Sequence, residues 1–212
     1  LGIVALNFIL FSGGMDTRWD SVKPVLKQGI TLSTIGVLIT AATIGIFTHL
    51  VTDFTLAEGL LLGSIVSSTD AAAVFAILRT RSIGLKGNLR PLLELESGSN
   101  DPMAYILTIS FIFLITHGDA GIADLVLQFF KQMTIGGLLG YVLGRGMNII
   151  INRVRLETEG LYPVLIMGMI FFTYSITDIA GGNGFLAVYI SALVLGNSNF
   201  IHKKSTIKFY DG

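Results

Sequence analysis

Long apolar stretches joined by short polar connections, with Lys and Arg confined to every second connection, constrain this chain more than any other feature. A helix that crosses a bilayer needs about 20 mostly apolar residues, with a range of roughly 17–25. Such stretches cover Ile30–Val51, Ala57–Leu78, Leu92–Thr116, Phe129–Ile151 and Leu161–Thr177. Leu1–Gly14 and Gly184–Gly196 are shorter, and the latter can begin earlier, near Ile179. Met15–Gly29 holds Arg18, Lys23 and Lys27, and Arg79–Pro91 holds Arg79, Arg81, Lys86 and Arg90. Asn152–Gly160 carries Arg153 and Arg155, and Asn197–Gly212 carries Lys203, Lys204 and Lys208. The connections between them, Thr52–Leu56, His117–Gln128 and Asp178–Asn183, carry no Lys or Arg. Twelve of the fourteen cations therefore alternate, and the other two, Lys131 and Arg145, lie inside one stretch. Cytoplasmic connections of membrane proteins are enriched in Lys and Arg. The expected architecture is an all-α integral membrane bundle of seven spans, with its basic loops in the cytoplasm.

Composition excludes several other classes. Apolar residues make up 52% of the chain and charged residues 13%, with a mean hydropathy of +0.74. A soluble domain carries about 25% charged residues, so a soluble enzyme does not fit. Fourteen cations against fourteen anions leave no basic field for nucleic acid. The absence of cysteine removes disulfides and thiolate metal sites. Leu1 opens inside an apolar stretch without a basic n-region or a small-residue cleavage site. Leu1–Gly14 therefore reads as the end of a helix rather than a signal peptide, and the chain as a fragment of a longer protein.

Two glycine patterns bear on packing. Gly136, Gly140 and Gly144 recur every four residues, a spacing that lets membrane helices approach closely. Gly181, Gly182, Asn183 and Gly184 interrupt the chain before a short helix. Trp19, Phe54 and Tyr162 lie near span ends, where an aromatic belt would place them.

Ionisable side chains inside a span are costly and are functional candidates by default. Asp70, Glu96 and Asp101 qualify. Asp70 follows Ser67, Ser68 and Thr69 in the middle of an apolar stretch. Hydroxyls there compete for backbone hydrogen bonds, so the helix is expected to loosen at this turn. Unwound backbone survives in a membrane only where it is buried or lines a cavity. On the next span, helical spacing puts Ser97 and Asp101 on one face, with Glu96 and Asn100 on the adjacent one. Pro102 lacks an N–H, which deprives the Gly98 carbonyl of its helical donor. A carboxylate, a hydroxyl and a freed carbonyl suit a small hard cation.

The two acids also match in depth. Asp70 lies eight residues from the cytoplasmic end of its span, about 12 Å at the helical rise. Asp101 lies nine residues in from the same side, about 13–14 Å. Midplane acids flanked by broken helix are what a secondary transporter needs. The ordinary alternative for a buried acid is a structural pair between helices. That is the expectation for Glu96; for Asp101 no cation lies within the spans at its depth. For Asp70, helix breaking and direct ion contact both stay open. Glu94 reads as interfacial, and His49, His117 and His202 as solvated, without metal-ligand spacing.

At Thr69–Asp70 and Asn100–Asp101 the chain resembles the monovalent cation/proton antiporter family. Ser67–Phe75 is similar to its unwound-helix motif and Glu94–Pro102 to its ion-binding helix. Gly184–Ala187 and the closing Phe209–Gly212 also match. The wording is closest to bacterial potassium/proton antiporters linked to cell-volume regulation. The resemblance implies half of an inverted-repeat fold with discontinuous helices, spanning residues 1–212, in the bacterial inner (plasma) membrane. It makes Asp101 the residue that alternately carries proton and cation. Ser97 and the Thr69 hydroxyl would contribute oxygen ligands, with Asp70 at the helix crossing. Glu96 would pair with an Arg on a later helix outside this chain. Asn100 stands where electrogenic relatives carry a second acid, which implies one proton exchanged for one cation. Ser12 stands where many relatives carry an acid, so the choice between Na⁺ and K⁺ stays open.

The partners implied are a monovalent cation (K⁺ or Na⁺), a proton and the lipid bilayer. No nucleic acid, no cofactor and no catalytic residue are expected. Homodimers are common in the family, though no sequence feature marks an interface. An intramembrane aspartyl protease also uses two acids on neighbouring helices, but its Gly-x-Gly-Asp motif is absent. A channel, or a sensor retaining the fold, are the other rivals; the first predicts conductance uncoupled from pH, the second no flux.

Overall fold

The computed structural model describes residues 1–70, 84–116, 121–154, 156 and 158–210, apart from the side chains of 122, 204, 207 and 208. The described residues are helical or in short connections, with no strand among them. The helices are α1 (Gly2–Asp16), α2 (Trp19–Val51), α3 (Leu56–Val66), α4 (Leu89–Thr116), α5 (Ile122–Arg153), α6 (Leu161–Ile179), α7 (Gly184–Gly196) and α8 (Lys203–Tyr210). Of these, α2, α4, α5 and α6 are long and apolar enough to cross a membrane, while α1, α3 and α7 are shorter apolar helices. The chain divides into two compact units: Leu1–Asp20 with Phe130–Gly212, and Ser21–Phe129.

In the first unit α7 is the centre. Asn183 caps it, its side chain accepting the Leu186 N–H at 2.9 Å, and this satisfies a donor that a helix start leaves orphaned. The turn before it is made by Gly181 at φ +76°, a left-handed position that glycine adopts without strain. The expected glycine ladder packs here. A Cβ at Gly136 would lie 2.7 Å from the Asn183 carbonyl, one at Gly140 2.7 Å from that of Ala187, and one at Gly144 2.8 Å from the Ser191 Cα. Both partners advance by four residues, so α5 and α7 meet backbone to backbone over three turns. On another side of α7, Gly14 of α1 abuts the Tyr189 carbonyl at 2.7 Å by the same measure. Phe11, Ile166, Ile170, Val188, Ala192 and Leu195, each fully buried, complete the core.

Tyr162 belongs to that core and not to an aromatic belt. It is 3% exposed, and its hydroxyl donates to the Val154 carbonyl at 3.1 Å. The protein, rather than the membrane interface, satisfies its polar tip. Trp19 and Phe54 are exposed near their helix ends.

In the second unit, α2 starts eleven residues before the expected Ile30. Val22, Val25 and Gly29 face inward while Lys23 and Lys27 stay exposed, so the basic connection is an amphipathic first part of the helix. Pro24 is tolerated in a 3₁₀ turn, Lys23–Val25, where its missing N–H costs little. A π turn at Leu32–Gly36 precedes the apolar run. α3 begins with a capping box: Thr55 and Glu58 each accept from the other's backbone N–H, which satisfies two orphan donors. It packs on α2 through Gly45, Gly59 and Gly63. A Cβ at Gly59 would lie 2.5 Å from the Gly45 carbonyl, and one at Gly63 would collide with that of Ala41. Gly29 instead meets the side chain of Leu95 on α4, and Val37, Met103 and Ala104 form a small buried cluster.

Candidate functional site

The second unit brings the sequence's acidic and hydroxylic residues together where α3 stops. Ser67 closes its last turn, with both its N–H (3.3 Å) and its hydroxyl (2.7 Å) donating to the Ser64 carbonyl. Ser68–Asp70 are then non-helical. The expected loosening is present, at the expected residues. Ala71–Phe75 and Leu78, the rest of that motif and span, lie outside the described residues.

Facing this end is α4, which continues through Pro102. The Ser68 hydroxyl donates to Asp101 Oδ1. The Thr69 hydroxyl donates to Glu96 Oε1 (3.1 Å) and Oε2 (3.3 Å). The Thr69 carbonyl accepts from the Ser97 hydroxyl at 3.3 Å and from Asn100 Nδ2 at 3.2 Å. Asn100 Nδ2 also reaches the Thr69 hydroxyl at 2.5 Å and Glu96 Oε1 at 3.0 Å. Asn100 is fully buried, and its amide oxygen has no hydrogen-bond partner among the described residues. Two carboxylates, three hydroxyls and an unengaged amide oxygen thus converge on one broken helix end. Oxygen donors of this kind bind hard cations, whereas soft metals select sulfur ligands.

Comparison with known proteins gives the cluster a setting. A family model described as "Sodium/hydrogen exchanger, transmembrane" matches residues 1–209. The chain belongs to the sodium/hydrogen exchanger family. The K(+)/H(+) antiporter NhaP of Alkalimonas amylolytica is 36% identical over 100% of this chain, which covers 37% of that protein. The K(+)/H(+) antiporter NhaP2 of Shewanella sp. (strain ANA-3) is 38% identical over 99% of the chain and 36% of its own length. The solved sodium proton antiporter MjNhaP1 from Methanocaldococcus jannaschii superposes with a TM-score of 0.84 at 25% identity, over 99% of this chain and 52% of that one. The chain thus spans little more than a third of the curated relatives' length and about half of the solved one.

Asn100, Thr69, Ser97 and Glu96 share one hydrogen-bonded network, and Asp101 joins the cluster separately, through Ser68. Asp70 follows directly in the non-helical segment and is exposed. Ser12 lies on α1 in the first unit, where its hydroxyl donates to the Tyr210 carbonyl at 3.4 Å. Glu94 pairs with Arg90 at 2.8 Å, one turn away on the exposed start of α4. His202 differs from the solvated expectation: it is half-buried, lies 3.2 Å from Glu159 and packs on the Tyr162 ring. His117 lies outside the described residues. The residue that spacing rules missed as a contact is Ser68. The signal was its place in the polar run Ser67–Asp70, but helical spacing no longer governs direction once the helix has ended.

Proposed function

We propose that this chain is the seven-span transmembrane exchanger domain of a longer protein that swaps a monovalent cation, K⁺ or Na⁺, for a proton. The observation that carries the proposal is the Asp101 carboxylate held at the broken end of α3 by Ser68, beside the Thr69–Glu96–Asn100 network. The antiporter names of its relatives support it.

The mechanism is competition at one carboxylate. A proton and a cation each neutralise Asp101, and neither can bind well while the other is present. With Asn100 in place of a second acid, one charge enters for one that leaves, and the exchange is electroneutral. Ser97 and the Thr69 oxygens, bonded to each other where α3 ends, complete the oxygen environment, with Asp70 at the crossing. Asn100 contributes its unengaged amide oxygen to the site, and Glu96 braces the Thr69 hydroxyl. Only the loaded site then alternates between the two sides of the membrane. Ser12 is assigned a supporting role. The proposed location is the bacterial inner membrane, basic loops cytoplasmic, in a homodimer.

The test is proton flux in proteoliposomes holding the full-length protein, at zero membrane potential, with K⁺ or Na⁺ added and a pH dye inside. Cation-driven flux should fall by at least about tenfold in Asp101→Asn, the loss of one transition-state interaction or more. Flux left at the wild-type rate in that variant contradicts the proposal.

A further inference from the structure

Hydroxyl groups on the membrane helices of this chain mostly turn back onto their own helix. Thr40, Thr43, Ser64, Thr108 and Ser191 each donate to a carbonyl three or four residues earlier, at 2.8–2.9 Å. This is the ordinary way to satisfy such a group in a helix interior. Ser68 and Thr69 depart from it. They follow the end of α3, and their hydroxyls cross to another helix and end on acids. Their targets differ: Thr69 reaches Glu96, and Ser68 reaches Asp101. The Thr69 hydroxyl is further engaged by Asn100 Nδ2, whereas the Ser68 hydroxyl is directed at the Asp101 carboxylate itself.

We infer that Ser68 is the hydroxyl that serves Asp101 directly: donor to the carboxylate when the cation is absent, oxygen ligand to the cation when it is present. This rests on the cation/proton reading of the site and adds a residue to it. A hydroxyl can do both because it has one rotatable proton and two lone pairs. When a cation seats against Asp101, the Ser68 proton turns away and a lone pair faces the ion. When the cation leaves, the proton turns back and the carboxylate is not left bare. Ser68 thereby lowers the cost of the empty state and sets how tightly the cation is held. Thr69 acts one step removed, through Glu96 and Asn100.

The test is cation-driven exchange by the full-length protein in proteoliposomes, with KM and maximal rate measured separately. Cation-dependent thermal stabilisation is followed on the same preparations. Ser68→Ala should raise the cation KM about fivefold, the scale of one lost partner at a charged group, with the maximal rate within about twofold. Ser68→Cys should do the same, because sulfur is a poor ligand for a hard cation. Ser68→Thr keeps the hydroxyl and should restore the wild-type KM. Ser64→Ala, which removes a hydroxyl bonded to its own helix, should leave KM unchanged. An unchanged KM in Ser68→Ala, a fall in rate alone, or an equal rise in Ser64→Ala overturns the inference while leaving the exchanger reading intact. If the wild type exchanges nothing but is stabilised by cation, and Ser68→Ala weakens that stabilisation, the transport reading fails and the ligand assignment stands. Absence of both exchange and stabilisation overturns both.

Discussion

The two compact units use the same packing device for different ends. In the first, glycines of α1 and α5 press against the backbone of α7, Asn183 caps its own helix and Tyr162 donates to the chain beside it. In the second, glycines of α2 and α3 bring those helices equally close, but α3 stops after eleven residues. Its free end turns hydroxyls toward the acids of α4 and a carbonyl toward Asn100 and Ser97. Close backbone packing makes a scaffold in one unit; in the other it braces a helix that can end inside an apolar span. A broken helix in lipid is tolerable only where its polar groups find partners, and here those partners are the candidate ion ligands.

Substitutions that disturb the packing should separate the two roles. The largest effect is expected from Gly63→Ala and Gly140→Ala, since in each the new Cβ meets backbone rather than a flexible side chain. Each should lower stability by about 1–3 kcal/mol, the range for overpacking a tight interface, read as thermal denaturation of the full-length protein. Only Gly63→Ala should also raise the cation KM, because Ser68 and Thr69 extend directly from the end of α3. An equal KM change in Gly140→Ala would break the comparison. The smallest effect belongs to Gly168 on α6, where a Cβ would meet nothing within 4 Å. Gly168→Ala should stabilise by about 0.5–1 kcal/mol, the backbone entropy of a mid-helix glycine. A loss of stability there would show that packing at α6 is tighter than its glycine geometry indicates.

Much of this was legible in the residues, because the signals were local. α7 occupies the expected Gly184–Gly196, marked off by the glycines and Asn183 before it. The end of α3 falls at the hydroxyl run Ser67–Thr69, and the ladder Gly136–Gly140–Gly144 meets a matching four-residue repeat. Non-local features were not legible. α2 reaches back to Trp19, because Val22, Val25 and Gly29 find a buried face that hydropathy alone could not reveal amid Lys23 and Lys27. Tyr162 had the sequence position of a belt residue, but tertiary contacts buried it. The division of labour between Ser68 and Thr69 depends on backbone directions beyond the helix end, where no periodicity applies.

The central claim is that one carboxylate, Asp101, holds either a proton or a cation and not both. The most direct measurement is proton release from the purified full-length protein in weakly buffered solution as K⁺ or Na⁺ is added, beside Asp101→Asn. The account predicts that cation binding displaces protons from the wild type and that the variant releases none. Cation binding without proton release in the wild type, or equal release from Asp101→Asn, would contradict it.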